Sequence, residues 1–149
     1  MTAKSNTRST ARLAAVQALF QHHMEKTPVP RLLKEFHDHR LGAEIEDEQY
    51  QPVEVEFFDE IVIGVSEKRD EIDALVTSKL ASGWSIGRLD KTMLQILRAG
   101  AFELMARDDV PTATVINEYV DVAHAFFNKK DSGFVNGLLD AIAKQVRGS

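Results

Sequence analysis

Apolar residues recur three and four positions apart along nearly the whole chain, and almost nowhere do they alternate. That spacing is the signature of helices with one buried face. The first stripe is Leu13, Val16, Phe20 and Met24, in a helix expected from Ser9 or Thr10 to about Met24 and ended by Pro28 and Pro30. Leu32, Leu33 and Phe36 mark a shorter helix that stops near Gly42. The stretch 43–52 is acidic and aperiodic, which reads as loop. "VEVEFF" alternates briefly, but Phe57, Phe58, Ile61, Val62 and Val65 take helical spacing, so one helix over about 53–67 is the simpler reading. Ile72, Leu75, Val76 and Leu80 define the next helix, from about Asp70 to Leu80.

"ASGWSIGRLD" then breaks the pattern, with Trp84 and Ile86 expected to anchor a short turn against the core. Asp90 fits the N-cap of a helix that reaches about Ala106 and turns Met93, Ile96, Leu97, Ala101 and Leu104 inward. Another helix starts at Thr112 or Thr114 and carries Val115, Ile116, Tyr119, Val120, Ala123, Phe126 and Phe127. A last one spans about 132–146. Seven helices and no firm strand make the class all-α, with short links that suit antiparallel neighbours. At 149 residues, one domain is the default.

Two glycines sit awkwardly in this reading. Gly64 in a helix interior costs about 1 kcal/mol against alanine, which predicts a close helix contact there. Asn136-Gly137 is a hairpin signal, yet Phe134, Leu138 and Ile142 recur every fourth residue. The stripe decides for helix, with Asp131 or Ser132 as cap and the pair in its first turns. Gly137 is then expected to admit a neighbouring helix, and Asn136 to satisfy backbone groups at a junction.

The chain is acidic overall, at -5, but unevenly so. Residues 1–34 hold six Lys/Arg against one acid, whereas 35–73 hold fourteen acids against three Lys/Arg. A basic first third permits anion binding on an acidic protein. Catalysis finds little support. There is no cysteine, hence no thiolate nucleophile or thiolate metal site. His22-His23 and His37-x-His39 are spaced one and two apart, which splays imidazoles around a helix instead of pairing them on a metal. No phosphate-binding glycine loop or nucleophile elbow occurs. No apolar run approaches the ~18 residues that span a bilayer. The expectation is a non-enzymatic, cytoplasmic binding protein without cofactor or metal.

The first helix is the candidate binding element. Arg8 and Arg12 lie four apart on one face, with Lys4 ahead of them and no acid before Glu25. Cations at a helix N-terminus oppose its dipole. Phosphate would compensate, since it accepts from guanidinium and from free backbone N–H groups.

Three segments together resemble the NusB family of transcription antitermination factors. They are "ARLAAVQALFQ" (11–21), "ILRAGAFEL" with "VPTATVINEYVDVA" (96–104 and 110–123), and "FVNGLLD" (134–140). The resemblance covers nearly the whole chain apart from 40–55, in matching order and spacing. It implies two three-helix subdomains packed as a compact bundle, about 8–81 and about 84–147. It implies binding of boxA, a short single-stranded RNA element of ribosomal RNA leaders. It also implies a heterodimer with the small-subunit ribosomal protein called NusE in this role, joining RNA polymerase to promote processive ribosomal RNA transcription. Residue by residue, the implied RNA site takes Lys4, Arg8 and Arg12 from the arginine-rich opening, where Ser9 and Thr10 replace further arginines. Gln17 and Phe20 come from the segment "QALF", Arg98 from the "LR" pair, and Asp131, Ser132 and Phe134 from the segment opening the last helix. Phe134 is the stacking candidate, with core packing as its alternative. Arg98 is a phosphate candidate, with coverage of apolar surface by its stem as the alternative.

Two other readings stand beside this one. Some ribosomal RNA cytosine methyltransferases carry a NusB-like N-terminal RNA-binding part, but the residues after Asp140 leave no room for a methyltransferase, so a free-standing factor is expected. A purely protein-binding helical adaptor could use the acidic 35–73 face against a basic partner. The oligomeric state is left open, a homodimer that hides the RNA surface included.

Overall fold

The computed structural model describes the backbone of residues 3–38 and 52–148, and side chains over 8–38 and 55–148. Seven α-helices occur among the described residues: α1 Ala3–Glu25, α2 Val29–Phe36, α3 Pro52–Glu67, α4 Arg69–Lys79, α5 Lys91–Ala106, α6 Thr112–His124 and α7 Lys129–Val146. One 3₁₀ turn, Ile86–Arg88, interrupts the link between α4 and α5. No strand is present among the described residues, so the all-α expectation holds. The loop expected at 43–52 and the end of the second helix near Gly42 fall outside the described residues, save Pro52, which already opens α3.

α5 lies at the centre and packs on α1, α3, α4, α6 and α7. Its inward surface is almost continuous from Met93 to Leu104. α1 packs mainly on α3, and α6 on α7. The apolar side chains form one cluster in which Phe58, Ile61, Ile72, Ile96, Tyr119, Leu139 and Ile142 are fully enclosed. Arg147, just past α7, closes one end. It donates to the carbonyls of Leu104, Arg107 and Val110 and to Thr112 Oγ1, at 2.7–3.1 Å. The Arg107 carbonyl also accepts from the Val110 amide at 3.0 Å, so the guanidinium ties the C-terminal end of α5 to the turn that follows it.

Local chemistry explains where helices start and stop. Asp90 caps α5 as expected, its Oδ1 accepting from the Thr92 and Met93 amides at 2.8 and 3.1 Å. α1 ends where Lys26 takes a left-handed φ of 61°. It begins at Ala3, six residues ahead of Ser9, so Lys4 and Arg8 are helical. Its buried face also differs from the expected stripe. Ala11, Ala15, Val16, Ala18 and Leu19 are inside, Leu13 is half-buried, and Phe20 and Met24 are exposed.

The two glycines part company. A Cβ on Gly64 would lie 2.2 Å from the Phe102 ring, which is the expected close contact, here between α3 and α5. Among the described residues Gly137 meets nothing within 4 Å and is exposed, so no described helix takes the neighbouring place expected there. The expected cap is also corrected. Asn128 Oδ1, not Asp131 or Ser132, accepts from the Asp131 amide at 3.0 Å, and α7 starts at Lys129. Asn136 and Gly137 therefore sit in the third turn on the solvent face, away from any helix junction.

These two sites set up opposite outcomes. Gly64→Ala forces a methyl into the Phe102 ring and is expected to lose about 1–3 kcal/mol of stability. Gly137→Ala adds a better helix former in open space and is expected to gain up to about 1 kcal/mol. Urea unfolding of both variants checks the pair. Equal effects of the same sign would contradict the packing described.

Candidate nucleic-acid interface

The basic face expected on α1 is largely spent inside the protein. Arg12 is buried and points at α5 and α6. It donates through Nε and Nη2 to both oxygens of Glu103, at 3.0 and 2.7 Å, and through Nη1 to Glu118 at 2.9 Å. Tyr119 donates its hydroxyl to Glu103 at 2.9 Å, and Ser9 donates to Glu118 at 2.6 Å. Burial alone would lower the Arg12 pKa, but the Glu103 hydrogen bonds and charge outweigh it and the pKa is raised. Burial, then the charge of Glu103, pushes the Tyr119 phenol well above its ordinary value. Arg98 is likewise closed, donating to both oxygens of Asp73 at 2.8 Å and to Gln95 at 3.4 Å. Arg12 and Arg98 are thus internal ion-pair partners and not the open phosphate ligands the motif match implied. A guanidinium taken out of water needs a counter-charge, and here the fold supplies it.

A signal for this was present in the sequence. Arg12 lies at i, i+4 and i+7 with Val16 and Leu19, and Glu103 at the same spacing with Ile96 and Gly100. Opposite charges on two inner faces predict a buried pair.

Arg8 is different. It is half-buried, its Cζ lies 5.2 Å from the Phe57 ring centroid, and it makes no ion pair among the described residues. The side chain of Lys4 lies outside the described part. Several carboxylates of the acidic stretch are occupied too: Asp59 with His37 at 2.7 Å, Glu60 with Arg107 at 2.8 Å, and Asp73 with Arg98. That reduces the acidic face available to a basic partner. Asp109 is exposed, yet its carboxyl is held down to about 2, first by the hydrogen bond from Arg107.

The remaining predicted residues divide between two open grooves. Gln17 and Phe20 line the smaller, about 320 Å³, with Phe36, Thr92 and Phe126. Asp131 and Phe134 line the larger, about 740 Å³, over a floor that includes Leu80, Met93 and Phe127. Thr92 and Met93, and Phe126 and Phe127, are chain neighbours assigned to different grooves, so the two grooves abut across the start of α5. Phe134 is 39% exposed, which removes core packing as its explanation. Ser132 is buried with its hydroxyl donating to the Lys129 carbonyl at 2.9 Å, so it shapes the helix and offers nothing outward.

Trp84 corrects another expectation. It is 52% exposed and does not anchor its turn; Ile86 packs on the core instead. The indole stands on the larger groove with Arg88 stacked at 5.1 Å, and Arg88 donates to the Gly83 carbonyl at 3.0 Å. Lys130 lines the same groove. Trp84, Arg88 and Lys130 were missed as site residues because only their place in space joins them to Phe134. Together they offer two exposed aromatic faces flanked by two cations. That set can stack unpaired bases and hold phosphates. No group of three metal-ligating side chains occurs among the described residues, and no described helix is long and apolar enough to cross a membrane.

Comparison with known proteins agrees in kind. Residues 9–144 match the model of the NusB family. The chain is 66% identical over 140 residues to the transcription antitermination protein NusB of Novosphingobium aromaticivorans, covering 94% of this chain and 95% of that protein. Among solved structures it resembles NusB of T. maritima, with a TM-score of 0.77 and 32% identity, over 93% of this chain and 91% of that one. It also resembles a chain from a structure of the antitermination factors NusB and NusE in complex with double-stranded RNA. There the TM-score is 0.78 and the identity 26%, over 94% of this chain and 98% of that one.

The buried network makes a stability prediction. Arg12→Ala strands the Glu103 carboxylate and is expected to cost about 3–5 kcal/mol. Arg12→Met combined with Glu103→Gln removes the stranded charge and should be less damaging than Arg12→Ala. Unfolding midpoints in urea decide it; a double variant no more stable than the single would contradict the assignment.

Proposed function

This chain belongs to the NusB family, and from that premise we propose that it is a transcription antitermination factor. It binds boxA-type single-stranded RNA together with the small-subunit ribosomal protein NusE. The complex joins RNA polymerase in the cytoplasm and sustains transcription of ribosomal RNA operons. The reading needs no catalytic step and no cofactor.

The observation that supports it most is the larger groove, where exposed Trp84 and Phe134 stand beside Arg88 and Lys130. Aromatic faces recognise bases that are not already stacked in a duplex, so a single strand suits this groove better than paired RNA. Arg8 on α1 adds a phosphate contact, and Gln17 and Phe20 on the adjoining groove add a second stacking point. Lys4 stays in the proposal as a further cation of the same helix. In this reading the helices form two halves, about 8–81 and 84–147. The boundary between them carries Trp84, so the junction is itself a binding element.

A mobility shift with boxA RNA, with and without the ribosomal protein, tests the proposal. A shift strengthened by the protein is expected, with single-stranded boxA preferred over its duplex. Trp84→Ala and Phe134→Ala should each weaken binding by about 1–3 kcal/mol, the worth of one base–aromatic stack. Trp84→Ala should leave stability nearly unchanged, because the indole is exposed. No shift under either condition would overturn the proposal.

A further inference from the structure

Three guanidinium groups converge on one buried ring. The Cζ atoms of Arg8, Arg12 and Arg107 lie 5.2, 5.0 and 5.4 Å from the centroid of Phe57, which is 3% exposed. Arg8 and Arg12 come from successive turns of α1, Arg107 from the residue after α5, and Phe57 from α3. A ring face attracts a cation within about 6 Å, and more strongly where water is excluded. Three cations around one ring also repel one another, so their charges must be met elsewhere.

Two of them are met. Arg12 is closed by Glu103 and Glu118, and Arg107 by Glu60 and Asp109 at 2.8 and 2.9 Å. Arg8 is the exception. Among the described residues it makes no ion pair, and its Nε is buried with no hydrogen-bond partner. An N–H held out of water without an acceptor costs about 1–3 kcal/mol unless something arrives to accept from it. The arrangement therefore leaves one arginine of three without an ion pair among the described residues and with its Nε donor unmet, set against an aromatic ring.

We propose that Phe57 is the positioning residue that holds the Arg8 guanidinium ready for a phosphate of bound RNA. This rests on the RNA-binding reading above and deepens it. The ring limits the rotamers of a long side chain before binding, so less freedom is lost when the phosphate arrives. The carboxylates on Arg12 and Arg107 keep those two from competing for the anion. Phe57 itself touches no RNA.

The test is a double-mutant cycle read by boxA RNA binding across a salt series, with melting temperature recorded for each variant. Phe57→Leu is expected to weaken binding by about threefold to thirtyfold, the range of a partly desolvated cation–ring contact. It should also flatten the salt slope by about 0.7, one single-strand phosphate contact, as Arg8→Ala does. Phe57→Leu added to Arg8→Ala should cause no further loss, and Phe57→Tyr should keep the wild-type slope. Should Phe57→Leu fail to fold, Arg8→Lys carries the test. It retains the charge without the flat stacking group and is expected to bind more weakly than wild type; equal binding overturns the proposal. An equal loss from Phe57→Leu with and without Arg8 would mark a general packing defect and overturn it as well. Wild-type protein that binds no RNA sinks the antitermination reading, and this inference with it. Wild-type binding with an unchanged Phe57→Leu slope sinks the inference alone.

Discussion

The bidentate pair of Arg12 and Glu103 sets where α1 lies on α5. Both groups are buried, and Tyr119 and Glu118 from α6 complete the set. Such a pair contributes little net stability compared with apolar side chains of the same size, because desolvation offsets the attraction. Its effect is on geometry. Slipping α1 by one residue would turn Arg12 away and leave two unmatched charges in the interior, an error of several kcal/mol. A general apolar contact of alanines, such as Ala11, Ala15 and Ala18 provide, tolerates such slips far better. The pair thereby fixes which face of α1 is outward, and with it Arg8 against Phe57 and Gln17 and Phe20 on their groove.

The segments that carry the family resemblance are those that build this network. Arg12 lies in 11–21, Glu103 in 96–104, and Glu118 and Tyr119 in 110–123. The marker 134–140 also serves packing. Leu139 fills the space beside Gly100, where a Cβ would come within 2.9 Å of it. Matching residues by motif therefore mixed two populations, those that hold the helices and those that face solvent. Arg12, Arg98 and Ser132 belong to the first. Phe20 and Phe134 belong to the second, with Arg8 between them, since it leans on the core while keeping its charge.

What was legible in the sequence follows from what periodicity measures. A stripe reports that a helix has an apolar side, so the helices, the Asp90 cap and the close contact at Gly64 could be read directly. It does not report which arc of a mostly apolar helix is the deeper one. In α1 the alanines proved deeper than Phe20 and Met24, because small side chains allow α3 and α5 to approach. Gly137 shows the converse. In the sequence its missing side chain reads as tight packing, yet it only faces solvent. Trp84 departs from its expected place for a related reason: a lone large aromatic in a turn reads as an anchor. Its exposure depends on Ile86 taking the core position instead, which is a tertiary outcome.

The acidic balance of the chain is no obstacle to binding a polyanion, and the reason is screening. At physiological salt a charge is felt over about 8 Å. Exposed charges farther apart than that act almost independently, so a phosphate responds to the cations beside it and not to the net charge. Glu60 and Asp73 are also neutralised at short range by Arg107 and Arg98. What a strand would meet is a set of separate points: Arg8 on its ring, and Arg88 and Lys130 beside two exposed aromatics. In the proposed reading each point adds its own increment of affinity, and specificity comes from the spacing between them, to which the buried Arg12–Glu103 pair contributes by fixing α1 on α5.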